Sequence, residues 1–184
     1  MKASEAEILF IPGHPTATDD HWQSRWQAKL SSARLIHQSD WADPNRDDWV
    51  GAIVSEVQKA TKPVVLVAHS LGIAAAIRAI PLCGDKIAGA FFVAPPDLEM
   101  QSSLARRARK FGAYPRDPLS FPSILVASNN DPHGSYEHAG DLANAWGSML
   151  VDAGASGHID ATSGHGPWPE GTMVFAQFLS RLKP

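Results

Sequence analysis

Ser70 stands where chemistry could be done: residues 64–72 read Val-Val-Leu-Val-Ala-His-Ser-Leu-Gly. An aliphatic, β-branched run stops at a small–His–Ser–Leu–Gly corner, and a small-residue segment of helical composition, 73–80, follows at once. Strand, tight turn and buried helix form the setting of a nucleophile elbow. The turn is so sharp that residues two before and two after the serine must be tiny, or their Cβ atoms collide. Ala68 and Gly72 meet that demand, with alanine where the pattern's first glycine would stand. Such a corner lifts the hydroxyl clear of the sheet and aims the next helix N-terminus at it. The Leu71 amide would then face an oxyanion forming beside Ser70. The plain alternative is a serine that merely caps the following helix.

A serine hydroxyl attacks only if a base takes its proton, so the rest of the chain must supply one. His158, in Ala-Ser-Gly-His-Ile, and His165, in Ser-Gly-His-Gly, are the candidates, both beside glycines that allow tight loops. His158 sits closer behind the last expected strand. Asp131, in Asn130-Asp131-Pro132, would accept the second imidazole N–H and fix the tautomer; otherwise it is an Asp-Pro turn. Asp152 and Asp160 are neighbouring carboxylates, but neither directly follows the fifth strand. A second oxyanion donor should come from the loop after the first strand. Pro12 and Pro15 have no N–H, which leaves the His14 amide, with Thr16 in reserve. His69 points away from the elbow and reads as structural, with pocket lining as its remaining role. Trp168 and His165 are further candidates to line the pocket.

The elements that must position these residues follow from hydrophobic pattern. Strands are expected at 8–11, 34–38, 64–68, 87–94, 124–127 and 149–152, each mostly apolar. Between them, Trp22, Trp26 and Leu30 mark a helical face, with Asp19 or Asp20 as its cap. Asp43-Pro44 reads as the start of a second helix whose inner face is Trp49, Ile53, Val57 and Ala60. Further helices are expected from 135 to 146 and from 169 to 182. Segment 98–121 is mixed, and its Arg106, Arg107, Arg109 and Lys110 read as a solvated helix face. Apolar strands alternating with helices predict a three-layer α/β/α domain around a parallel sheet of about six strands, with no large lid domain. Ligands in such sheets bind beyond the carboxyl ends of the strands, where every candidate above falls.

Composition narrows the field. At 184 residues the chain suits a single domain spanning 1–184, and a net charge of −3 gives no reason to expect nucleic acid or an anionic membrane surface. One cysteine, Cys83, excludes an intrachain disulfide and a cysteine-rich zinc site. Among the histidines, His133 and His138 are five apart and His158 and His165 seven, so neither pair has the i, i+4 spacing of a helical metal site. No metal or cofactor is expected. No stretch approaches a membrane span and the polar N-terminus leads straight into a strand, so the cytoplasm is the expected compartment.

Several blocks together carry a family resemblance. They are Pro12-Gly13 with His21-Trp22-Gln23, the A-H-S-L-G corner, V-A-P-P-D at 93–97, N-D-P at 130–132, G-H-I-D at 157–160 and G-P-W-P-E-G at 166–171. In this order the chain resembles the small serine hydrolases related to retinoblastoma-binding protein 9. The resemblance implies a compact α/β-hydrolase fold and a cofactor-free Ser–His–Asp triad acting on a small ester or amide. By motif position it puts the nucleophile on Ser70, the acid on Asp131 and the base on His158. Two departures stand out. His165 lies where the family usually has an aromatic residue, and the L-x-C-x-E signature is absent around Cys83, so a retinoblastoma-type partner is not expected. The same site would also serve acyl transfer or perhydrolysis, and such a scaffold can bind without catalysing.

Overall fold

In the computed structural model, which describes residues 1–13 and 18–183, the aliphatic runs form strands of one parallel sheet. They are β1 (Glu7–Ile11), β2 (Ala33–Leu35), β3 (Val64–His69), β4 (Ile87–Val93), β5 (Ser123–Ala127) and β6 (Met149–Asp152). Their order across the sheet is β2-β1-β3-β4-β5-β6. β1 therefore lies inside, with β2 on one flank and β3 on the other, in register from Glu7 opposite Val64 to Ile11 opposite Ala68. The chain reverses direction across the sheet at this pair, and such switch points open a crevice at the strands' carboxyl ends.

Strand alternation sends side chains to two separate cores. On one face Leu9, Ile11, Leu66, Ala68, Phe92 and Leu125 pack with α2 (Arg46–Lys59), α3 (Leu71–Ala79), α4 (Ser103–Ala108) and α5 (Tyr136–Trp146). On the other, Ile8, Phe10, Val65, Val67, Phe91 and Val126 pack with α1 (Trp22–Lys29) and α6 (Pro169–Arg181). The result is the expected three-layer α/β/α architecture of an α/β hydrolase. α3 is buried almost all round, which explains its run of alanines and isoleucines: larger residues would not fit beneath α2 and against β3.

Three local expectations are corrected. α1 is capped by His21, whose Nδ1 accepts from the Gln23 N–H, not by Asp19 or Asp20; Asp20 instead pairs with Arg25. α2 begins at Arg46 under Asn45, which accepts from the Asp47 and Asp48 N–H groups, so Asp43-Pro44 precedes the helix without starting it. β2 stops at Leu35 because its ladder with β1 runs only from Ile8 opposite Ala33 to Phe10 opposite Leu35. The basic patch near 106–110 is tied down: Arg109 donates to the Leu98 carbonyl at 2.6 Å and Arg107 to that of Ala42 at 3.3 Å. No helix among the described residues is long and apolar enough to cross a membrane.

Candidate active site

β3 ends at His69 and α3 begins at Leu71, so Ser70 alone makes the corner, with φ 55° and ψ −126°. That region is strained for any residue with a side chain. It is held by the Ser70 N–H bond to the Val93 carbonyl at 2.9 Å and by close backbone packing around it. A Cβ at Gly13 would lie 2.6 Å from Ser70 Cβ, and one at Gly72 would collide with the Ile11 carbonyl oxygen. Glycine is needed at both places so that the end of β1 can nest against the corner. Gln23, buried on α1, supports the same junction by donating to the Val67 carbonyl at 3.1 Å.

His158 approaches from the loop after β6. Its Nε2 lies 2.8 Å from Ser70 Oγ, and its Nδ1 lies 2.9 and 2.8 Å from the two carboxylate oxygens of Asp131. A carboxylate can only accept, so Nδ1 carries the proton and Nε2 presents its lone pair to the Ser70 hydroxyl. Asp131 Oδ1 also accepts the His133 N–H at 2.8 Å, which folds the Asp-Pro-His turn back on the acid. The His158 and Asp131 side chains are only 6% and 2% exposed, so this chain of hydrogen bonds runs in a low dielectric where each link is strengthened. Leu71 is the first residue of α3, and its N–H belongs to the first turn, which has no intrahelical acceptor. His14 and Thr16, expected to supply the second oxyanion donor, lie outside the described residues.

Of the remaining candidates, His165 and Trp168 are placed apart from these hydrogen bonds. His165 donates its backbone N–H to the Asp160 carbonyl at 2.8 Å and sets its ring edge-on to Trp168. Trp168 is buried against Trp22 and Trp26, in the core between α1 and α6. Both also border a cavity of about 400 Å³ with Val151, Asp152 and Glu170. His69 lies within the site but is not free to turn: its Nε2 lies 2.9 Å from the His158 carbonyl, which can only accept, so Nε2 is the donor. Cys83 is buried, with its thiol directed to the Ala79 carbonyl.

Sequence reasoning missed how many imidazoles gather here. His21, His69, His158 and His133 stand in a row, with ring centres 5.0, 5.0 and 4.8 Å apart. Burial pushes His69 well below the usual histidine range and His21 down to about 4, and it lowers His133; the nearness of the His158 ring works in the same direction on each. His158 is thus flanked by the rings of His69, tilted to it, and His133, edge-on to it. Asp160 lies near this row as a carboxylate. Burial raises its pKa, but hydrogen bonds from Thr162 and Ser163 outweigh that and hold it down to about 2. His133 follows Asp131 by two residues, the only sequence signal that tied it to the site. No group of three or more His, Cys, Asp or Glu among the described residues is arranged to hold a metal ion.

An elbow serine bonded to a histidine that is bonded to a carboxylate, all on the carboxyl rim of a parallel sheet, is the arrangement found in α/β hydrolases. The chain belongs to the serine hydrolase family, whose model matches residues 8–177. Among solved structures it is similar to a YdeN-like hydrolase from Pectobacterium atrosepticum, at 36% identity and a TM-score of 0.86, over 99% of this chain and 95% of that one. The ydeN gene product of B. subtilis shares the fold at 18% identity and a TM-score of 0.80, over 96% and 100% of the two chains. Est1E from Butyrivibrio proteoclasticus, solved with ferulic acid bound, shares it at 13% identity and 0.66, over 92% and 88%. No curated protein sequence matches the chain.

Proposed function

We propose that the protein hydrolyses a small ester or amide through an acyl-enzyme on Ser70, with His158 as base and Asp131 as its orienting acid. The observation that carries this reading is the unbroken chain from Ser70 Oγ through both nitrogens of His158 to Asp131, with links of 2.8 to 2.9 Å. Ser70 Oγ attacks the substrate carbonyl while its proton passes to His158 Nε2. Asp131 stabilises the imidazolium that forms and keeps Nδ1 protonated throughout. The Leu71 N–H and the positive end of α3 stabilise the tetrahedral oxyanion. His158 then gives its proton to the leaving alkoxide or amine. In the second half, water loses a proton to His158 as it attacks the acyl carbonyl, and Ser70 leaves with that proton restored.

Within the serine hydrolase family, the order of short motifs from Pro12-Gly13 to Gly166-Gly171 supports a place beside the retinoblastoma-binding protein 9 group. The test is labelling by a fluorophosphonate probe together with hydrolysis of p-nitrophenyl esters. Ser70→Ala should abolish labelling, and Ser70→Ala or His158→Ala should lower turnover by roughly 10⁴–10⁶-fold, with Asp131→Ala costing less. Near-normal turnover in His158→Ala, with loss in His165→Ala, would overturn the base assignment.

A further inference from the structure

The base sits on irregular chain. Between β6 and α6, His158 is flanked by Gly157 at φ 57° and Ile159 at φ 49°, and no helix or strand ladder fixes its backbone. Three side chains from elsewhere take hold of it instead. Asn130 Oδ1 accepts the Gly157 N–H at 2.7 Å, His69 Nε2–H donates to the His158 carbonyl at 2.9 Å, and Trp22 Nε1–H donates to the Ile159 carbonyl at 2.9 Å. Two of these residues are chain neighbours of the other triad members: Asn130 precedes Asp131, and His69 precedes Ser70.

That arrangement has a geometric consequence. The Ser156–Gly157 peptide is gripped from the loop that bears the acid, and the His158–Ile159 peptide from the strand that leads to the nucleophile. Any drift of the base loop along either direction must break one of the two bonds. Asn130 is itself steadied, since Ser128 Oγ lies 2.8 Å from the same Oδ1 and accepts the Ser156 N–H at 2.9 Å. His69 cannot swing away, because it is buried between the rings of His21 and His158. Trp22 is a core residue packed on Trp26 and Trp168, so its tether is inseparable from the fold.

We infer that His69 and Asn130 are positioning residues that hold the backbone of His158 so that its imidazole spans Ser70 and Asp131. The inference rests on the proposed triad. Neither residue touches the reacting atoms; each acts through the base loop. An angstrom of misplacement in a catalytic constellation costs on the order of 10²-fold in rate, so the loss should fall on turnover. kcat and kcat/KM should fall together, because the base serves both acylation and deacylation.

The experiment compares p-nitrophenyl acetate hydrolysis, fluorophosphonate labelling rate and the low-field proton resonance of His158 Nδ1–H in His69→Phe, His69→Gln and Asn130→Ala. Phenylalanine keeps the ring volume and removes the donor, whereas the glutamine amide puts an N–H where Nε2 was. His69→Phe and Asn130→Ala should each lose roughly 10- to 100-fold in kcat, and the resonance should weaken or broaden. His69→Gln should recover most of the loss. If both variants fold, lose only thermal stability and keep kcat within about twofold, the positioning role is refuted. Should His69→Phe not fold, Asn130→Ala decides the matter alone, since Asn130 is exposed and its truncation leaves the core intact. Ser70→Ala and His158→Ala run alongside. Activity surviving in those refutes the triad itself, whereas activity surviving only in the tether variants refutes this inference alone.

Discussion

Acid should unfold this protein through histidines that the fold keeps neutral, and His21 lets the size of the effect be worked out. Burial lowers its pKa from 6.5 to about 4 in the native state, where its Nδ1 must stay unprotonated to accept the Gln23 N–H. Between those values the unfolded chain binds a proton that the folded chain refuses. The stabilisation is therefore present above pH 6.5 and is lost as pH falls toward 4. At 1.36 kcal/mol per unit the full loss is about 3 kcal/mol, and by pH 5 it has reached about 2 kcal/mol. His69, also lowered by its burial, acts in the same direction. The assay is urea unfolding at pH 7.5 and pH 5, read as midpoint and slope, on the parent and on His21→Asn. Asparagine keeps a cap acceptor but does not titrate in this range. The variant starts less stable, because it empties part of a buried site, yet its loss between the two pH values should be about 2 kcal/mol smaller than the parent's. Equal losses in the two proteins would show that His21 titrates alike in both states and would refute the reasoning.

Two other expectations follow from contacts on either side of α3. Gly72→Ala would drive a Cβ into the Ile11 carbonyl oxygen, which belongs to strand backbone and cannot turn aside. It should cost about 2 kcal/mol or more by thermal melting and slow fluorophosphonate labelling as the elbow shifts; an unchanged melt with unchanged labelling would contradict the close approach. Burial pushes the Cys83 thiol up to about 11, so a disulfide reagent at pH 8 should leave it unmodified until the chain is denatured. Rapid stoichiometric reaction of the native protein would show that the end of α3 opens readily.

Most of the layered architecture was legible because the four inner strands are largely apolar on both faces and the helices between them carry a stripe on one. Helix ends were harder. A histidine is a poor candidate for a cap on preference alone, and His21 serves only because burial keeps its Nδ1 unprotonated. Pro44 suggested a first helical turn two residues too early, because nothing local ranks the Asn45 side chain above that of Asp43. Ser70, Asp131 and His158 were legible from turn chemistry and from their place after strands. The imidazole row was not: His69 and His133 lie close to Ser70 and Asp131 in the chain, but that they meet each other and His21 around His158 follows only from strand order and the fold-back of the Asp131 turn. Trp168 is conspicuous in sequence beside the base, yet its bulk is used to seal α6 against α1.

Backbone strain gathers on the sheet edge that carries the proposed triad. The non-glycine residues with positive φ among the described residues are Asp40, Ser70, Ala94 and Ile159, and each lies beyond the carboxyl end of a strand. Such conformations cost on the order of 1–3 kcal/mol apiece and persist only where neighbouring structure over-determines them. At Ser70 the neighbours are the glycines 13 and 72 and the Val93 carbonyl; at Ala94 the N–H is held by the Val126 carbonyl at 2.9 Å. At Ile159 a buried side chain, the Trp22 tether and a backbone bond to the Ser156 carbonyl do the same. Among the described residues, the amino ends of the strands carry no non-glycine residue with positive φ. A fold selected for stability alone would have no reason to collect its unfavourable dihedrals on one rim. The proposed triad, which needs a hydroxyl, an imidazole and a carboxylate at fixed spacing, would give such a reason, and the two cores beneath the rim supply the rigidity that keeps those angles in place.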